Sequence, residues 1–423
     1  WLDTYLGKVI QDKTPPPRPD VVRHSLFSGW CLRFVQRAIA RRDLSFIYSL
    51  QKGSKRAWPA LSDKKKVAAL RKHQERLSQP HGHLPADLEF EIARVSQTTF
   101  ASLATHTSSK FIPSASACSQ APRHKGGALS LFAEFDLDRH LESKDAKIMG
   151  KLPALSQGLN DWRQSQWNFA LREAIRGMQP DSEGYFPALD VEVMAIPEPS
   201  KFRIITKGCG YLYSALQPLQ GEMLRCWKMS RHSTMRDEDL TLRVQKMHNK
   251  LQDVPLWCSV DYEAATDLLK RDATMAVLTR IAKLHDLGEF AYLTAFAGRA
   301  TYPDLKITKT NLDTGKSTVS YERVIAGEGQ LMGHPLSFPM LCVINLAVYQ
   351  CALQRWVGEV KDDPTQKKEF RWRWYQARKL SNYVIVNGDD MLFKCHPSFY
   401  SIFIKTANDA GFKISAGKNY LSP

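Results

Sequence analysis

The chain has 423 residues, a formal net charge of +16 and a pI near 9.4. This length supports two or three domains with a large buried core, and the positive charge favours a polyanionic partner such as RNA. The eight cysteines include no C-x-x-C pair, and no histidine pair has ligand spacing. The composition therefore argues against a zinc site and favours free thiols in a reducing compartment.

The chain begins with a proline-rich stretch, DKTPPPRPD, which predicts an extended segment without a core. Helices are expected from residue 26 to about residue 110. Residues 61–77 predict an amphipathic helix that Ser62 caps. Its predicted buried face consists of Val67, Leu70 and Leu77. The basic face is interpreted as solvated, with RNA contact as the alternative.

A basic strand is predicted within residues 197–208, PEPSKFRIITKG. Alternate side chains of a strand share a face, so Lys201, Arg203 and Lys207 point the same way. Three aligned cations suit a polyphosphate. The alternative is a solvated basic strand edge.

The next strand delivers an acid at its carboxyl end, in WCSVDYEAATDLL at residues 257–269. Asp261 ends the apolar run, and Asp267 falls in the first turn of the helix that follows. Each of these acids alone is also typical of a helix cap or a turn.

Residues 327–349, GEGQLMGHPLSFPMLCVINLAVY, predict a glycine-rich loop that leads into a buried helix. Glycines such as Gly329 allow a backbone to approach a ligand closely, although a loop before a core helix needs no ligand. Asn345 interrupts the apolar run, and a buried amide requires partners. The run MLCVINLAVY is too short to cross a bilayer.

Residues 383–394, YVIVNGDDMLFK, predict a hairpin with Asp389 and Asp390 at the tip of an Asn-Gly turn. Crowded carboxylates repel each other unless a cation shares them, and hard oxygen ligands suit Mg²⁺ or Mn²⁺. A solvated acidic turn is the alternative.

In this order, the segments resemble motifs of viral RNA-dependent RNA polymerases, most closely those of the narnavirus and ourmia-like (botourmiavirus) lineage. KFRIITKG is similar to motif F, SVDYEAATD to motif A, GQLMGHPLSFP to motif B and NGDD to motif C. FIPSASACSQAPRHKGG is similar to the segment upstream of motif F, and AGFKISAGKNYLS to motif D. Together these segments cover residues 111–423.

The resemblance implies an α+β right-hand polymerase whose small antiparallel palm sheet is backed by helices. The expected parts are a helical amino-terminal region (1–110), fingers (111–256) with an insertion (273–326), and a palm (257–272 and 327–423). Polymerases of this lineage continue into motif E and a thumb. The thumb is therefore expected to be truncated or to lie on a second chain.

The resemblance further implies template-directed transfer of ribonucleotides, with two Mg²⁺ or Mn²⁺ ions at the palm acids. Asp261 and Asp389 would bridge the ions, and Asp390 would be a neighbouring ligand or an outer acid. The cations expected to neutralise the triphosphate are Lys201, Arg203 and Lys207.

Sugar selection is expected to involve Asp267 together with Ser337 or Asn345, since the 2′-hydroxyl needs a polar partner. Lys418 is the expected general acid for pyrophosphate, with Lys413 as the alternative and a solvated surface lysine as the simpler interpretation. The implied partners are RNA template and product strands and ribonucleoside triphosphates. The expected location is the host cytoplasm, or the mitochondrion if a leader precedes Trp1.

Two other classes of protein compete with this interpretation. A reverse transcriptase usually carries Ala-Asp-Asp or Val-Asp-Asp after an aromatic residue and lacks the pairing of Asp267 with Asn345. A non-catalytic RNA-binding subunit or a basic structural protein would not require Asp261, Asp389 and Asp390 to converge.

Overall fold

A computed structural model describes residues 5–6, 8–9, 30–54, 61–104, 111–132, 152–198, 201–285, 298–310, 317–415 and 419–423. The proline-rich stretch and Lys418 lie outside these described residues. The chain divides into two compact units, one of residues 1–70 and 195–204 and the other of residues 71–194 and 205–423.

The described residues of the first unit include α1 (Trp30–Ala40), α2 (Leu44–Ser54) and the beginning of α3 (Asp63–Leu77). Its core cluster comprises Leu6, Val35, Ala38 and Ile47. The backbone N–H of Lys65 donates to Ser62 Oγ at 3.4 Å, which confirms the predicted cap of α3.

The buried stripe of α3 differs from the predicted one. Leu70, His73 and Leu77 are buried, whereas Val67 is 40% exposed. At 3.6 residues per turn, Val67 lies about 60° from Leu70 and about 120° from His73 around the helix. The prediction for Val67 was therefore wrong, because the buried face of α3 includes His73 in place of Val67.

The rest of the described chain alternates helices and short strands. Its helices are α4 (Ala86–Phe100), α5 (Leu152–Arg176), α6 (Gly210–Met229), α7 (Leu240–Lys250), α8 (Ala265–Leu268), α9 (Arg271–His285), α10 (Ser337–Gly358), α11 (Lys367–Leu380) and α12 (Pro397–Asp409). Its strands are β1 (Val191–Glu198), β2 (Lys201–Lys207), β3 (Leu256–Val260), β4 (Tyr262–Glu263), β5 (Arg299–Thr310), β6 (Ser317–Ile325), β7 (Val384–Asn387), β8 (Asp390–Cys395), β9 (Lys413–Ile414) and β10 (Tyr420–Ser422).

One four-stranded sheet has the order β2-β1-β5-β6. Strand β1 runs parallel to β5, with Val191 opposite Ala300, and β5 and β6 form an antiparallel hairpin. Strands β1 and β2 precede β3 in the sequence and β5 and β6 follow it, yet all four belong to this sheet.

A second four-stranded sheet, the acidic-end sheet, has the order β10-β3-β8-β7, and all of its pairs are antiparallel. Strands β4 and β9 form a separate antiparallel pair. A mixed α/β fold with small antiparallel sheets is thus confirmed.

Helix α10 forms the centre of the core beside the acidic-end sheet. The Tyr349 ring centroid lies 4.8 Å from that of Phe393 and 5.7 Å from that of Phe399. Such pairs contribute about 0.5–1.5 kcal/mol each beyond the area they bury. Helix α10 is long and apolar enough to cross a membrane, but 83% of its most apolar window is buried inside the protein. This burial is what a core helix shows.

The cysteines whose side chains the structure describes are unbridged and buried: Cys118, Cys209, Cys226, Cys258, Cys342, Cys351 and Cys395. The prediction of free thiols is confirmed for these residues.

A histidine beside the outer strand of the acidic-end sheet is expected to make stability depend on pH. His232 is buried, its Nδ1 lies 3.1 Å from Val384 O, and burial lowers its pKa to about 4. In the unfolded chain the pKa is about 6.5, so acidification through this interval protonates the unfolded state first. The free energy of unfolding should fall by up to about 3 kcal/mol between these pH values on account of His232.

Urea denaturation at about pH 7 and about pH 4.5 measures this dependence. His232→Gln should show a shallower loss of stability on acidification than the parent chain. His124→Gln, at an exposed position, is the control and should keep the parent slope. Equal slopes in all three proteins would contradict the assignment.

Candidate active site

Three aspartates lie at one end of neighbouring antiparallel strands. Strand β3 pairs with β8 so that Val260 is opposite Met391. Asp261 follows β3 directly, and Asp390 is the first residue of β8. Each of these aspartates is therefore the residue next to the last paired residues of β3 and β8, Val260 and Met391. Asp389 lies in the turn that connects β7 and β8.

The turn between β7 and β8 has two residues, Gly388 and Asp389, because Asn387 pairs with Asp390. Gly388 has a φ of +66°, and a type II′ hairpin requires glycine at this first turn position. The predicted hairpin is confirmed. The prediction that Asn387 and Gly388 form the centre of the turn was wrong by one residue. The turn consists of Gly388 and Asp389, and Asp390 belongs to strand β8.

Asn345 connects this turn to the segment that follows β3. Its buried amide donates from Nδ2 to the main-chain oxygens of Gly388 at 3.0 Å and Asp389 at 3.2 Å. Its Oδ1 accepts a hydrogen bond from the Tyr262 hydroxyl at 3.0 Å. The partners required by a buried amide are therefore present, and the role predicted for Asn345 in sugar selection stays a prediction.

The Tyr262 hydroxyl is the hydrogen-bond donor to Asn345 in this arrangement. Burial raises the pKa of its hydroxyl well above the ordinary value, and the nearby Cys258 and Asp389 raise it further. The hydroxyl is therefore protonated near neutral pH and donates to Asn345.

Asn419 holds the main chain of Asp261. The backbone N–H of Asp261 donates to Asn419 Oδ1 at 3.0 Å, and Asn419 Nδ2 donates to Asp261 O at 3.1 Å. The same Nδ2 lies 2.7 Å from Ser415 O. Sequence reasoning missed Asn419, although it is next to Lys418 in the segment similar to motif D.

Asp267 lies in α8 against the glycine-rich loop. Gly329 has a φ of +89°, and a Cβ atom there would lie 2.8 Å from Asp267 O. Only glycine tolerates this backbone and this approach. Asp267 Oδ2 lies 3.4 Å from Arg76 Nη1, and Oδ1 lies 3.8 Å from His73 Nε2. The structure therefore brings together the two segments predicted to meet the ribose.

The same loop also contacts the end of the basic strand. The backbone N–H of Thr206 donates to Met332 O at 2.7 Å, and Lys207 is the next residue. Lys207 Nζ forms an ion pair with Glu192 Oε2 at 2.6 Å. Ser337 is buried where α10 begins, and its hydroxyl donates to Leu331 O at 3.0 Å.

Lys201 and Arg203 belong to the first unit. Both are exposed on β2 and form ion pairs with Glu198, the lysine at 3.7 Å. The predicted strand is confirmed, and Lys201 and Arg203 are more exposed than Phe202 and Ile204. That Lys207 shares their face stays a prediction. Their role toward a triphosphate stays a prediction.

The carboxyl-terminal half of α3 supplies cations that sequence reasoning assigned to solvent. Arg76 Nη2 pairs with Glu263 Oε1 at 2.6 Å and also faces Asp267. Lys72 Nζ lies 2.9 Å from Glu263 Oε1. The interpretation of this half as a solvated face was wrong for Arg76, which is 19% exposed, whereas Lys72 remains 62% exposed. The acids that pair with these cations lie far away in sequence.

The three aspartates are candidate ligands for a divalent metal by the chemistry of their side chains. Asp261 and Asp389 are partly buried, and Asp390 is exposed. Carboxylate oxygens are the donors that Mg²⁺ and Mn²⁺ prefer. Asp261, Asp389 and Asp390 are the residues that would hold such an ion.

Comparison with protein-family models found no match. Over 246 residues, the chain is 27% identical to the RNA-dependent RNA polymerase of Ourmia melon virus (isolate Melon/Iran/VE9). The chain is a distant homologue of an RNA-dependent RNA polymerase. The match covers 56% of this chain and 26% of the viral polymerase, so the chain spans about a quarter of that relative's length. The resemblance to polymerases is supported, and the narrower lineage stays a prediction.

Proposed function

We propose that this chain carries the catalytic palm and part of the fingers of an RNA-dependent RNA polymerase. The observation that supports this proposal most directly is the position of Asp261, Asp389 and Asp390 in the chain at one end of a small antiparallel sheet, in a distant homologue of such an enzyme. The right-hand arrangement and the palm, fingers and insertion boundaries belong to the proposal.

Two Mg²⁺ or Mn²⁺ ions at Asp261 and Asp389, with Asp390 beside them, would stabilise the attacking and leaving oxygens of nucleotidyl transfer. The chain's own residues hold the acids in position. Asn345 fixes the turn that carries Asp389, and Asn419 fixes the main chain of Asp261.

Other residues in the proposal bind the substrate. Lys201, Arg203 and Lys207 neutralise the triphosphate, and Lys418, or alternatively Lys413, protonates the pyrophosphate. The net charge of +16 suits RNA template and product strands. A cytoplasmic location completes the proposal.

Iron-directed cleavage tests the metal site without requiring a complete polymerase. Fe²⁺ bound in place of Mg²⁺ generates hydroxyl radicals that cut the nearest backbone, and mass spectrometry locates the cuts. Cuts are expected near residues 261 and 389, and excess Mg²⁺ should suppress them. In parallel, the chain should incorporate ribonucleotides on an RNA template only with Mg²⁺ or Mn²⁺. The proposal is overturned if a folded chain shows neither localised cuts nor incorporation of ribonucleotides.

Asp267 is expected to contribute to the choice of sugar. Its side chain is 13% exposed beside the glycine-rich loop, whereas the amide of Asn345 is occupied by the turn. Asp267→Ala should lower the ratio of kcat/KM for ribo- over deoxyribonucleotides by at least about tenfold, because a site built around a hydroxyl loses discrimination with its partner. Single-nucleotide incorporation measures the ratio.

Ser337→Ala and Asn345→Ala, measured alongside, decide which of the two residues assists Asp267. Asp362→Ala, at an exposed position, is the matched control and should keep the parent ratio. A ratio that stays constant in the Asp267 and Asn345 variants would refute the assignment of this site to the 2′-hydroxyl.

A further inference from the structure

A second cluster of metal-ligating side chains lies apart from the three aspartates. Ligand atoms of His81, His83 and Asp272 lie within 4.8 Å of one another. His81 Nε2 is 2.9 Å from Asp272 Oδ1, and His83 Nδ1 is 3.1 Å from Asp272 Oδ2. Two imidazoles and one carboxylate thus converge from segments far apart in sequence.

A buried carboxylate orients one of these imidazoles. Glu328 Oε1 lies 3.2 Å from His81 Nδ1, and the Glu328 side chain is only 7% exposed. Backbone N–H groups hold this carboxylate: Gly82 donates to Oε1, and Arg271 donates to Oε2 at 2.5 Å. With Nδ1–H directed at Glu328, His81 keeps Nε2 as its metal-binding nitrogen, and a metal ion would replace the hydrogen that Nε2 shares with Asp272. Metal-binding histidines are commonly oriented by a carboxylate in this way.

We propose that His81, His83 and Asp272 bind one Zn²⁺ ion, with Glu328 as the outer carboxylate that orients His81. Imidazole nitrogens with a single carboxylate suit Zn²⁺ and related first-row ions better than Mg²⁺, which prefers oxygen ligands. Three protein ligands leave one position of a tetrahedral ion for water. His83 is 84% exposed, so the ion can enter from solvent.

The proposed ion ties together three segments. His81 and His83 lie between α3 and α4, Asp272 lies in the first turn of α9, and Glu328 precedes Gly329. Lys270 Nζ already donates to His83 O at 2.8 Å. The ion would therefore fasten residues 81–83 to the segments that carry Asp267 and Gly329. The inference does not depend on the proposed polymerase activity.

Metal titration of the chelator-treated chain tests the inference. Isothermal titration with Zn²⁺ should show one site, and Co²⁺ in the same site should absorb in the visible range without a thiolate charge-transfer band. His81→Ala and Asp272→Asn should abolish this site. Glu328→Gln should weaken Zn²⁺ binding by about 10- to 100-fold, the usual loss when an outer partner is removed.

His124→Ala, which removes an exposed histidine elsewhere, is the matched control and should bind like the parent chain. Circular dichroism checks that each variant is folded. The inference is overturned if the folded parent chain binds no Zn²⁺, or if the His81 and Asp272 variants bind as the parent does.

The exposed position of His83 provides a variant that should fold normally. In the parent chain, Zn²⁺ at one hundred times its dissociation constant should raise the thermal unfolding midpoint by about 3 °C. His83→Ala should lose this shift, and His124→Ala should keep it. The same shift in all three proteins would place the ion elsewhere and overturn the inference.

Discussion

Replacing Asp389 with Asn is expected to reduce nucleotide incorporation by at least about 10² to 10³, the scale on which single transition-state stabilisers act. The change removes a charge from the proposed metal site and keeps the shape of the side chain. It should leave the turn intact, because Asn345 donates to the main-chain oxygen of Asp389 and not to its carboxylate. Primer-extension rates measure the loss, and Asp362→Asn at an exposed position is the control.

RNA affinity should barely change in Asp389→Asn. A plot of the logarithm of the RNA binding constant against the logarithm of the salt concentration should fall with a slope of about −0.7 per phosphate contact on a single strand. Replacing a lysine or arginine that contacts RNA phosphates should make this slope shallower, whereas Asp389→Asn should not. If Asp389→Asn extends primers normally while such a basic-surface variant does not, the chain is an RNA-binding subunit whose active site lies elsewhere.

Asn345→Leu is expected to lower both stability and activity. The substitution leaves the Tyr262 hydroxyl and the oxygens of Gly388 and Asp389 without their amide partner. Each buried polar group that loses its partner costs about 1–3 kcal/mol. The turn is then free to shift the Asp389 carboxylate, so incorporation should fall by at least about tenfold at temperatures where the variant is folded.

Val348→Ala separates these two effects. Val348 is fully buried on the same helix, and its truncation lowers stability without removing a bond to the turn. Urea denaturation sets conditions in which both variants are equally folded. If Asn345→Leu then incorporates nucleotides as well as Val348→Ala does, the amide has no part in placing Asp389.

The acidic hairpin could be predicted because its determinants are local. Two short apolar runs flank a glycine in YVIVNGDDMLFK, and the structure forms β7 and β8 from them. The error of one residue at the turn has a local cause as well. Gly388 takes the first turn position with its positive φ, which leaves Asn387 in a strand.

The partners of the polar residues could not be predicted in the same way. The apolar run around Asn345 indicated burial, but Tyr262 becomes its partner only through the packing of α10 against the acidic-end sheet. Asn419 and Arg76 act on acids far away in sequence. The sequence argued against a zinc site because no histidine pair showed ligand spacing, and the cluster of His81, His83 and Asp272 forms only when helix α9 supplies its third member.

The amides of Asn345 and Asn419 hydrogen-bond to the main chain at positions 389 and 261, so these bonds do not depend on which side chains stand there. A chain with Asn at both 261 and 389 should keep its architecture and its basic surface while it cannot turn over. This inactive double variant could be used to capture RNA and nucleotide together before reaction.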